Sequence, residues 1–368
     1  MNNIIILGEE YWFNKPNTPF VEATYLLNYL EYHRNKNKYN YIILQNPLEL
    51  IEVINKTNDI KAILLFQDVL SDSYLNNKTI LEMYNYLNDL NNSGIVIYPP
   101  PKVINNFGSK KYNLTLNNEL SWASLPHTKI YFYNNYNVKD DNKIFTGLYK
   151  NTLSLWKIFT KVVIKKGYSY EGQQVKFFDK NIIKDFYDFR DKAKKLDFKN
   201  FWGVRTSSQK IDKGTTRYYI IQGYNNIVNN RENEYRIFFH NGKAKFIAKG
   251  DEIPNTCIVD ELEKPLQRKI IKFAKKLFKS YLPLFWKESY LPILFRIDVS
   301  YAIDPEFQDK YSIKIKGFDT PVRLYANELE IDPTSFFYNE FICKDKSFNS
   351  QKIQENMAKY IHKFIKKL

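Results

Sequence analysis

Two stretches near the carboxyl end of the chain carry charged side chains at a spacing that suits β-strands. The first is 294–299, with the sequence LFRIDV, and the second is 327–333, with the sequence NELEIDP. Apolar residues alternate with polar ones in both, and side chains two positions apart on a strand point to the same face. The charged residues that share a face are Arg296 and Asp298 in the first stretch, and Glu328, Glu330 and Asp332 in the second.

If these two strands pair, their carboxylates converge on one spot beside an arginine. Oxygen ligands gathered without Cys or His suit Mg²⁺ or Mn²⁺, the ions that hold the phosphates of a nucleotide. The pattern therefore predicts the metal end of an ATP site. The alternative is a solvated hairpin with an acidic outer face, which runs against the composition of a chain with 55 Lys and Arg but 40 Asp and Glu.

Composition places the chain among globular proteins of two or three domains. Its 368 residues allow a sizeable core, and 44% hydrophobic and 17% aromatic residues are typical of folded chains. The formal charge of +15 favours anionic partners (nucleotides, acidic protein segments, nucleic acid or membrane surfaces) without choosing among them. Nucleic acid is not expected, because only the charge supports it and no Lys-x-Asp-Gly motif is present. The heavy use of Tyr, Asn, Ile and Lys resembles that of A+T-rich genomes, such as those of giant viruses.

The cysteine and histidine content indicates a reduced, intracellular protein. Cys257 and Cys343 are the only cysteines, and the four histidines are scattered, so neither a disulfide framework nor a zinc site is expected. No signal peptide is recognisable, and no apolar run approaches the roughly 20 residues that span a bilayer. The chain is therefore expected to be soluble and cytoplasmic, and its oligomeric state is not indicated.

Residues 1–98 alternate between strand-like and helix-like patterns. The predicted strands are 4–7, 41–44, 62–66 and 94–98, and the predicted helices are 20–33, 48–54 and 79–90. Strands separated by helices predict a small parallel α/β domain. A glycine-rich dinucleotide fingerprint is missing after the first strand. Three prolines at 99–101 end this unit.

The rest of the chain predicts antiparallel strands and long helices. The predicted elements are a helical stretch at 105–111, strands at 162–165 and 218–224, a hairpin of 234–239 and 244–248 around Asn241-Gly242, and helices at 182–195, 266–282 and 350–368. Lys165 ends its strand, where a lysine can reach phosphate oxygens as a point charge. The loop that follows runs to Gly172, and glycines let backbone N–H groups approach an anion. An ordinary hairpin with Lys and Gly at its turn is the alternative when this stretch is taken alone.

Taken in order, these stretches resemble the ATP-grasp superfamily. The motifs that carry the resemblance are the lysine and Pro-x-Thr lead-in at 109–111 and 125–128, the lysine strand and phosphate loop at 163–172, the adenine hinge at 221–224, the ribose-binding acid and basic residue at 234–236, the Arg-x-Asp strand at 294–299 and the metal strand at 329–332. The resemblance covers roughly residues 100 to 340, and the first hundred residues are compatible with it by type.

The resemblance implies a role for each matching residue. The implied phosphate ligands are Lys165, Gly172 and one or both of Lys110 and Lys111, and the implied adenine and ribose contacts are Gln222, Tyr224 and Glu234. The implied metal ligands are Asp298, Glu330 and Asp332. The resemblance also implies that Arg236 and Arg296 stabilise charge on the transferring phosphoryl group or on the tetrahedral intermediate.

Three departures from the family pattern affect the metal strand. Aspartate replaces the usual asparagine at Asp332, and a register that uses Glu328 with Glu330 stays open. The connection between the Arg-x-Asp strand and the metal strand is longer than in many relatives and predicts an extra hairpin at 311–315 and 323–326. The glycine that often follows the metal strand is absent, because Pro333 is followed by the sequence TSFF.

The predicted fold combines α/β and α+β structure. An N-terminal parallel α/β domain at 1–98 precedes a connecting segment at 99–160. A two-lobed nucleotide clamp with antiparallel sheets follows, with a small lobe at 161–250 and a C-terminal lobe at 251–368 that holds the metal site and the terminal helix.

The resemblance implies an ADP-forming ligase that uses ATP and Mg²⁺ or Mn²⁺. Such an enzyme activates a substrate carboxylate as an acyl phosphate and joins it to an amine or a thiol. The alternative is a binding or assembly protein that keeps the nucleotide clamp without ligase turnover. The identities of the carboxylate and of the acceptor are not indicated, and an acidic protein segment stays open as a partner.

Overall fold

A computed structural model describes most of the chain. The described residues are 2–8, 39–44, 46–66, 69–70, 78–133, 141–167, 175–201, 204–207, 217–224, 233–249, 264–331 and 359–368. The predicted helix at 20–33 lies outside them, as do Gly172 and Asp332.

The N-terminal part forms a parallel sheet, as predicted. Its strands are Asn2–Leu7 (β1), Tyr39–Leu44 (β2), Ile60–Leu65 (β3) and Val96–Tyr98 (β4), and they lie in the order β2-β1-β3-β4. All their pairings are parallel. The connecting helices are Leu50–Lys56 (α1), which follows a 3-10 turn, and Ile80–Asn92 (α2). The hydroxyl of Thr79 and the side chain of Glu82 form a reciprocal capping box, which fixes where α2 begins.

Two short helices follow the prolines, with a break between them. They are Pro101–Gly108 (α3) and Tyr112–Glu119 (α4). The predicted helical stretch through residue 111 is therefore wrong at its end, since Lys110 adopts a left-handed conformation with φ of 58°. A non-glycine residue in that region interrupts helical hydrogen bonding and redirects the chain.

The second sheet is antiparallel and packs against helices on one face. Its strands are Thr128–Tyr133 (β5), Lys161–Lys166 (β6), Val175–Asp179 (β7) and Arg217–Tyr224 (β10), in the order β5-β10-β6-β7. The helices are Asp141–Leu155 (α5) and Phe186–Ala193 (α6), and their apolar side chains share a core with this sheet. A separate two-stranded hairpin comprises Phe198–Phe201 (β8) and Val204–Ser207 (β9).

The third sheet is also antiparallel. Its strands are Glu234–His240 (β11), Lys243–Lys249 (β12), Leu294–Ala302 (β13) and Arg323–Glu330 (β14), in the order β12-β11-β13-β14. The turn between β11 and β12 has positive φ at Asn241 (48°) and Gly242 (74°), as the sequence predicts. The long helix Lys264–Phe285 (α7) buries its apolar side against one face of this sheet. Residues 359–365 form a further helix (α8).

Strand pairing groups the chain differently from the predicted boundaries at residues 160 and 250. β5 belongs to the same sheet as β6 and β10, and β11 and β12 belong to the sheet of β13 and β14. The physical reason is local, because the tight Asn-Gly hairpin holds β12 to β11, and β11 pairs along its length with β13. The predicted extra hairpin is reduced to one bridge, between Ile313 and Val322. Among the described residues, no helix is long and apolar enough to cross a membrane.

One buried hydroxyl joins the N-terminal sheet to the third sheet. Tyr98, the last residue of β4, is fully buried, and its hydroxyl accepts hydrogen bonds from the backbone N–H groups of Ile293 (2.9 Å) and Leu294 (3.3 Å). Burial raises the pKa of this hydroxyl above its ordinary value, so it remains neutral. Tyr98 therefore fixes the position at which β13 begins.

Replacing Tyr98 with Phe should lower the free energy of unfolding by about 1–3 kcal/mol, because buried backbone donors would lose their acceptor. Urea denaturation measures this change. Tyr187→Phe is the control, since the Tyr187 side chain is 64% exposed, and it should leave stability unchanged. Equal stability of the two variants would contradict the proposed role of Tyr98.

Candidate active site

The two charged stretches predicted to pair do pair, as β13 and β14. In their antiparallel register Asp298 lies opposite Glu328, and Arg296 lies opposite Glu330. Side chains of directly opposed residues are neighbours on one face of a sheet. Three carboxylates and one guanidinium therefore meet on the face of the third sheet that is turned away from α7.

A β-bulge interrupts this register at Asn327. Asp298 faces Glu328, but the next residue, Val299, faces Ala326, so Asn327 has no opposite partner on β13. An inserted residue shifts the alternation of side chains by one position. Asn327 consequently joins Glu328 on the charged face, where strict alternation would have directed it into the core. The spacing of apolar and polar residues did not predict this bulge.

Arg296 and Asp298 form a bidentate ion pair at the centre of the site. The Arg296 Nε and Nη2 atoms donate to the two carboxylate oxygens of Asp298 at 2.7 and 2.8 Å, and both side chains are buried. Arg236 on β11 adds a weaker contact, with its Nε atom 3.8 Å from Asp298 Oδ2 and 3.5 Å from Glu234 Oε1. The structure thus brings together Arg236, Arg296 and Asp298, three of the site residues that the sequence predicts.

Two lysines reach this face from other parts of the chain. Lys165 on β6 places its Nζ atom 3.4 Å from Asn327 Oδ1. Lys110, in the left-handed turn between α3 and α4, places its Nζ atom 3.7 Å from Glu328 Oε1. Lys111 is exposed. Of the two adjacent lysines that the sequence could not separate, Lys110 is therefore the one at the site.

The turn that carries Lys110 fits against β6 because a glycine follows that strand. A Cβ atom on Gly167 would lie 2.5 Å from the backbone oxygen of Ser109, so no larger residue fits there without displacing the turn. This close approach brings Lys110 and Lys165 to the same side of the carboxylates. Both lysines contribute to the electrostatic environment of Glu328.

The site balances acids against bases. Its acidic residues are Glu234, Asp298, Glu328 and Glu330, and its basic residues are Lys110, Lys165, Arg236 and Arg296. Burial raises the pKa of Asp298 to about 7, and Glu234 adds to this effect, whereas Arg296 and Arg236 oppose it. The bidentate contact to Arg296 is that of an ionised carboxylate. This contact therefore stabilises the charged form of Asp298 against the effect of burial.

The two glutamates of β14 respond in opposite directions to the same surroundings. Burial opposes ionisation of Glu328, but Lys110, Arg296 and Lys165 outweigh it and lower the pKa of Glu328 to about 2. Burial and the neighbouring charge of Glu328 raise the pKa of Glu330 well above its ordinary value. A divalent cation bound beside Glu328 and Glu330 would relieve the repulsion between these two carboxylates.

The carboxylate cluster fits a magnesium-like ion better than a metal that needs a complete protein cage. Among the described residues, no group of three or more His, Cys, Asp or Glu side chains is arranged to hold a metal ion by itself. Mg²⁺ usually retains several waters and binds through one or two carboxylates together with substrate phosphates. Asp298 and Glu328, with Glu330 beside them, meet that lesser requirement with oxygen donors only.

The outer edge of β14 is covered by the segment that follows α4. The backbone N–H of Ala326 donates to the carbonyl of Ala123 at 2.8 Å. Arg323, which is 1% exposed, forms an ion pair with Asp309 and donates hydrogen bonds to three carbonyls of this segment, those of Ser121, Trp122 and Ser124. An edge strand held on both sides cannot slip in register. This segment therefore keeps Glu328 opposite Asp298.

The predicted adenine contacts lie on the same side of the second sheet as Lys165. Lys165 is opposite Ile220 on β10, and residues at intervals of two along a strand share a face, so Gln222 and Tyr224 point the same way as Lys165. Gln222 is buried and donates to the Thr128 hydroxyl at 3.2 Å. Their contact with adenine stays a prediction.

This architecture is the ATP-grasp fold: a parallel N-terminal sheet followed by two antiparallel sheets whose charged faces meet. Comparison with solved structures supports it. The chain resembles a D-cycloserine synthetase (TM-score 0.58, 11% identity, 97% of this chain and 99% of the other covered). It also resembles a D-alanine–D-alanine ligase from Bacillus anthracis in complex with ATP (TM-score 0.51, 13% identity, 100% and 99% covered). A third match is a D-alanyl-alanine synthetase A from Vibrio cholerae (TM-score 0.50, 12% identity, 98% of each chain covered).

These three structures match the chain over almost its whole length. No protein-family model matches the sequence, and no curated protein does. At identities of 11–13% the likeness concerns the fold. What the site binds must therefore be argued from its own residues.

Replacing Arg296 with Lys should lower the free energy of unfolding by about 2 kcal/mol, because a point charge cannot reproduce the two parallel hydrogen bonds to buried Asp298. Chemical denaturation at neutral pH measures the loss. Arg190→Lys is the matched control, since Arg190 pairs with Asp191, whose side chain is 66% exposed, and its loss should stay below about 1 kcal/mol. Similar losses in both variants would contradict a central role for the Arg296–Asp298 pair.

Proposed function

We propose that this protein is an ATP-dependent ligase that activates a carboxylate as an acyl phosphate and passes the acyl group to an amine or a thiol. The observation that carries the proposal is the meeting of two lysines, two arginines and a cluster of carboxylates between two antiparallel sheets of an ATP-grasp fold. Lysines suit phosphate oxygens, and carboxylates suit the metal that accompanies a nucleotide.

The nucleotide would lie between the second and third sheets. Lys110 and Lys165 would hold its phosphates, because both ammonium groups already lie at the charged face. Gln222 and Tyr224 would face the adenine, and Glu234 would face the ribose. Gly172 is proposed from the family resemblance to line the phosphates as well.

We propose that Asp298, Glu328 and Glu330 supply the one or two carboxylates that would hold the metal together with the phosphates of the nucleotide. Glu328 and Glu330 both lie opposite residues of β13, which favours this pair of glutamates as ligands over the pair Glu330 and Asp332. Asp332 is proposed as a ligand only from the resemblance. When bound, Mg²⁺ or Mn²⁺ would neutralise charge on the phosphates and orient them. The role of the chain would be to present oxygen ligands and to keep their spacing fixed.

The phosphoryl step would depend on positioning and on charge rather than on a covalent protein intermediate. A substrate carboxylate oxygen would attack the γ-phosphorus, and the bond to the β-γ bridging oxygen would break, releasing ADP. Arg236 and Arg296 would stabilise the charge that spreads over the transferring group. An amine or thiol would then attack the acyl carbon, and inorganic phosphate would leave.

A nucleotide-binding protein without turnover is the competing function. It is favoured by one observation, namely that both oxygens of Asp298 are already occupied by Arg296. A ligase must release ADP when both a carboxylate and an acceptor are supplied, whereas a binding protein must not. ADP release therefore separates the two functions once nucleotide binding has been established.

Saturating ATP with Mg²⁺ should raise the free energy of unfolding by roughly 2.7 kcal/mol at a ligand concentration of 100 times its Kd. The rise should require the metal and should be lost in an Asp298→Asn, Glu328→Gln double variant. The comparison is made within each variant, with and without ligand, so that a change in intrinsic stability cancels.

Glu306→Gln is the control for the loss of an acidic residue, because Glu306 is exposed and outside the site. It should retain the full effect of ATP and Mg²⁺. No stabilisation of the wild-type protein would refute both the ligase and the nucleotide-binding proposals.

Lys110→Met should weaken ATP binding by about tenfold, equivalent to about 1.4 kcal/mol, and Lys111→Met should leave it unchanged. The two lysines are adjacent in sequence, but only Lys110 lies near Glu328. Titration calorimetry with ATP and Mg²⁺ measures both dissociation constants. Equal weakening in the two variants would show that the effect comes from net charge and not from position.

A further inference from the structure

We propose that Asn327 is a positioning residue. Its side chain lies between Lys165 and Glu234, contacts both, and so holds Lys165 towards the phosphate-binding space. The inference rests on the proposed function, because it assigns Lys165 to phosphate. It adds a residue that the charged pattern of the sequence does not single out.

The contacts of Asn327 run in both directions across the site. Its Oδ1 atom accepts from Lys165 Nζ at 3.4 Å, and its Nδ2 atom donates to Glu234 Oε2 at 2.5 Å. Lys165 belongs to the second sheet and Glu234 to the third, so the carboxamide links the two sheets that would enclose a nucleotide.

The bulge is what makes this contact available. Ala326 and Leu329 both lie in the large core, although they are three positions apart, which strict alternation does not allow. The additional residue between them, Asn327, is thereby turned onto the charged face. A bulge that redirects one side chain beside a site is a recurrent use of this irregularity.

A carboxamide has the particular chemistry that this position needs. It offers an oxygen to a cation and an N–H group to a carboxylate while carrying no charge itself. An alanine would leave Lys165 free to turn to a nearby carboxylate, either Glu234 or Glu328, both of which attract it. An aspartate would bind Lys165 directly and would also repel phosphate. Asparagine avoids both outcomes and leaves the ammonium group available to an incoming ligand.

The test is a double-mutant cycle on ATP binding in the presence of Mg²⁺. Asn327→Ala should raise the Kd for ATP by about tenfold in the wild-type background. In a Lys165→Met background the same substitution should change the Kd by less than about twofold, because its effect passes through the lysine. Asn327→Asp, which keeps the size of the side chain, should weaken binding more than Asn327→Ala does.

Asn151→Ala is the matched control, since Asn151 is also a partly buried asparagine whose amide donates one hydrogen bond, to the Gly147 carbonyl. It should bind ATP as the wild type does. Circular dichroism at the assay temperature verifies that each variant is folded, so a general structural defect is distinguished from loss of positioning.

Two results would overturn the inference. Equal effects of Asn327→Ala with and without Lys165 would mean that Asn327 does not act through that lysine. Wild-type affinity in Asn327→Asp would mean that the position does not face phosphate. In both cases the wild-type protein still binds ATP, so the nucleotide-binding part of the proposed function is unaffected. If the wild-type protein bound no ATP, the proposed function would fail and this inference with it.

Discussion

The antiparallel pairing of β13 with β14 is the constraint on which the site depends. Its register sets Asp298 opposite Glu328, and its bulge adds Asn327 to the same face. A slip of one residue would send these charged side chains into the core and bring Leu329 to the cleft. Arg323 and the Ala123 carbonyl hold the outer edge of β14, and β11 continues the sheet beyond β13.

The basic character of the protein is distributed away from this site. The site itself matches carboxylates with lysines and arginines, so it is close to neutral despite a chain charge of +15. Helix α7 carries exposed basic residues and no acidic one, and it packs on the opposite face of the third sheet. Local pairing therefore governs the electrostatics of the cleft, and the exposed basic residues of α7 face solvent, where their charge is screened.

Three separate parts of the chain supply the charges that meet in the cleft. Lys110 comes from a left-handed turn between two short helices, Lys165 from the second sheet, and the carboxylates from the third. Contacts outside the cleft hold the backbone that carries these residues. They are the close approach of Gly167 to Ser109 and the burial of Arg323. Preorganised charge of this kind costs little rearrangement when a charged ligand arrives.

The sequence by itself determined the type of each main element and the charged residues of the site. Alternation along 294–299 and 327–333 predicted paired strands with Arg296, Asp298 and Glu330 on one face, because side-chain direction on a strand is a local property. Only the tertiary structure decided between Lys110 and Lys111 and placed Asn327 in the site. Each outcome depends on one backbone irregularity: the position of Lys110 depends on its left-handed conformation, and that of Asn327 depends on the bulge. Long-range packing selects such irregularities, and local spacing does not reveal them.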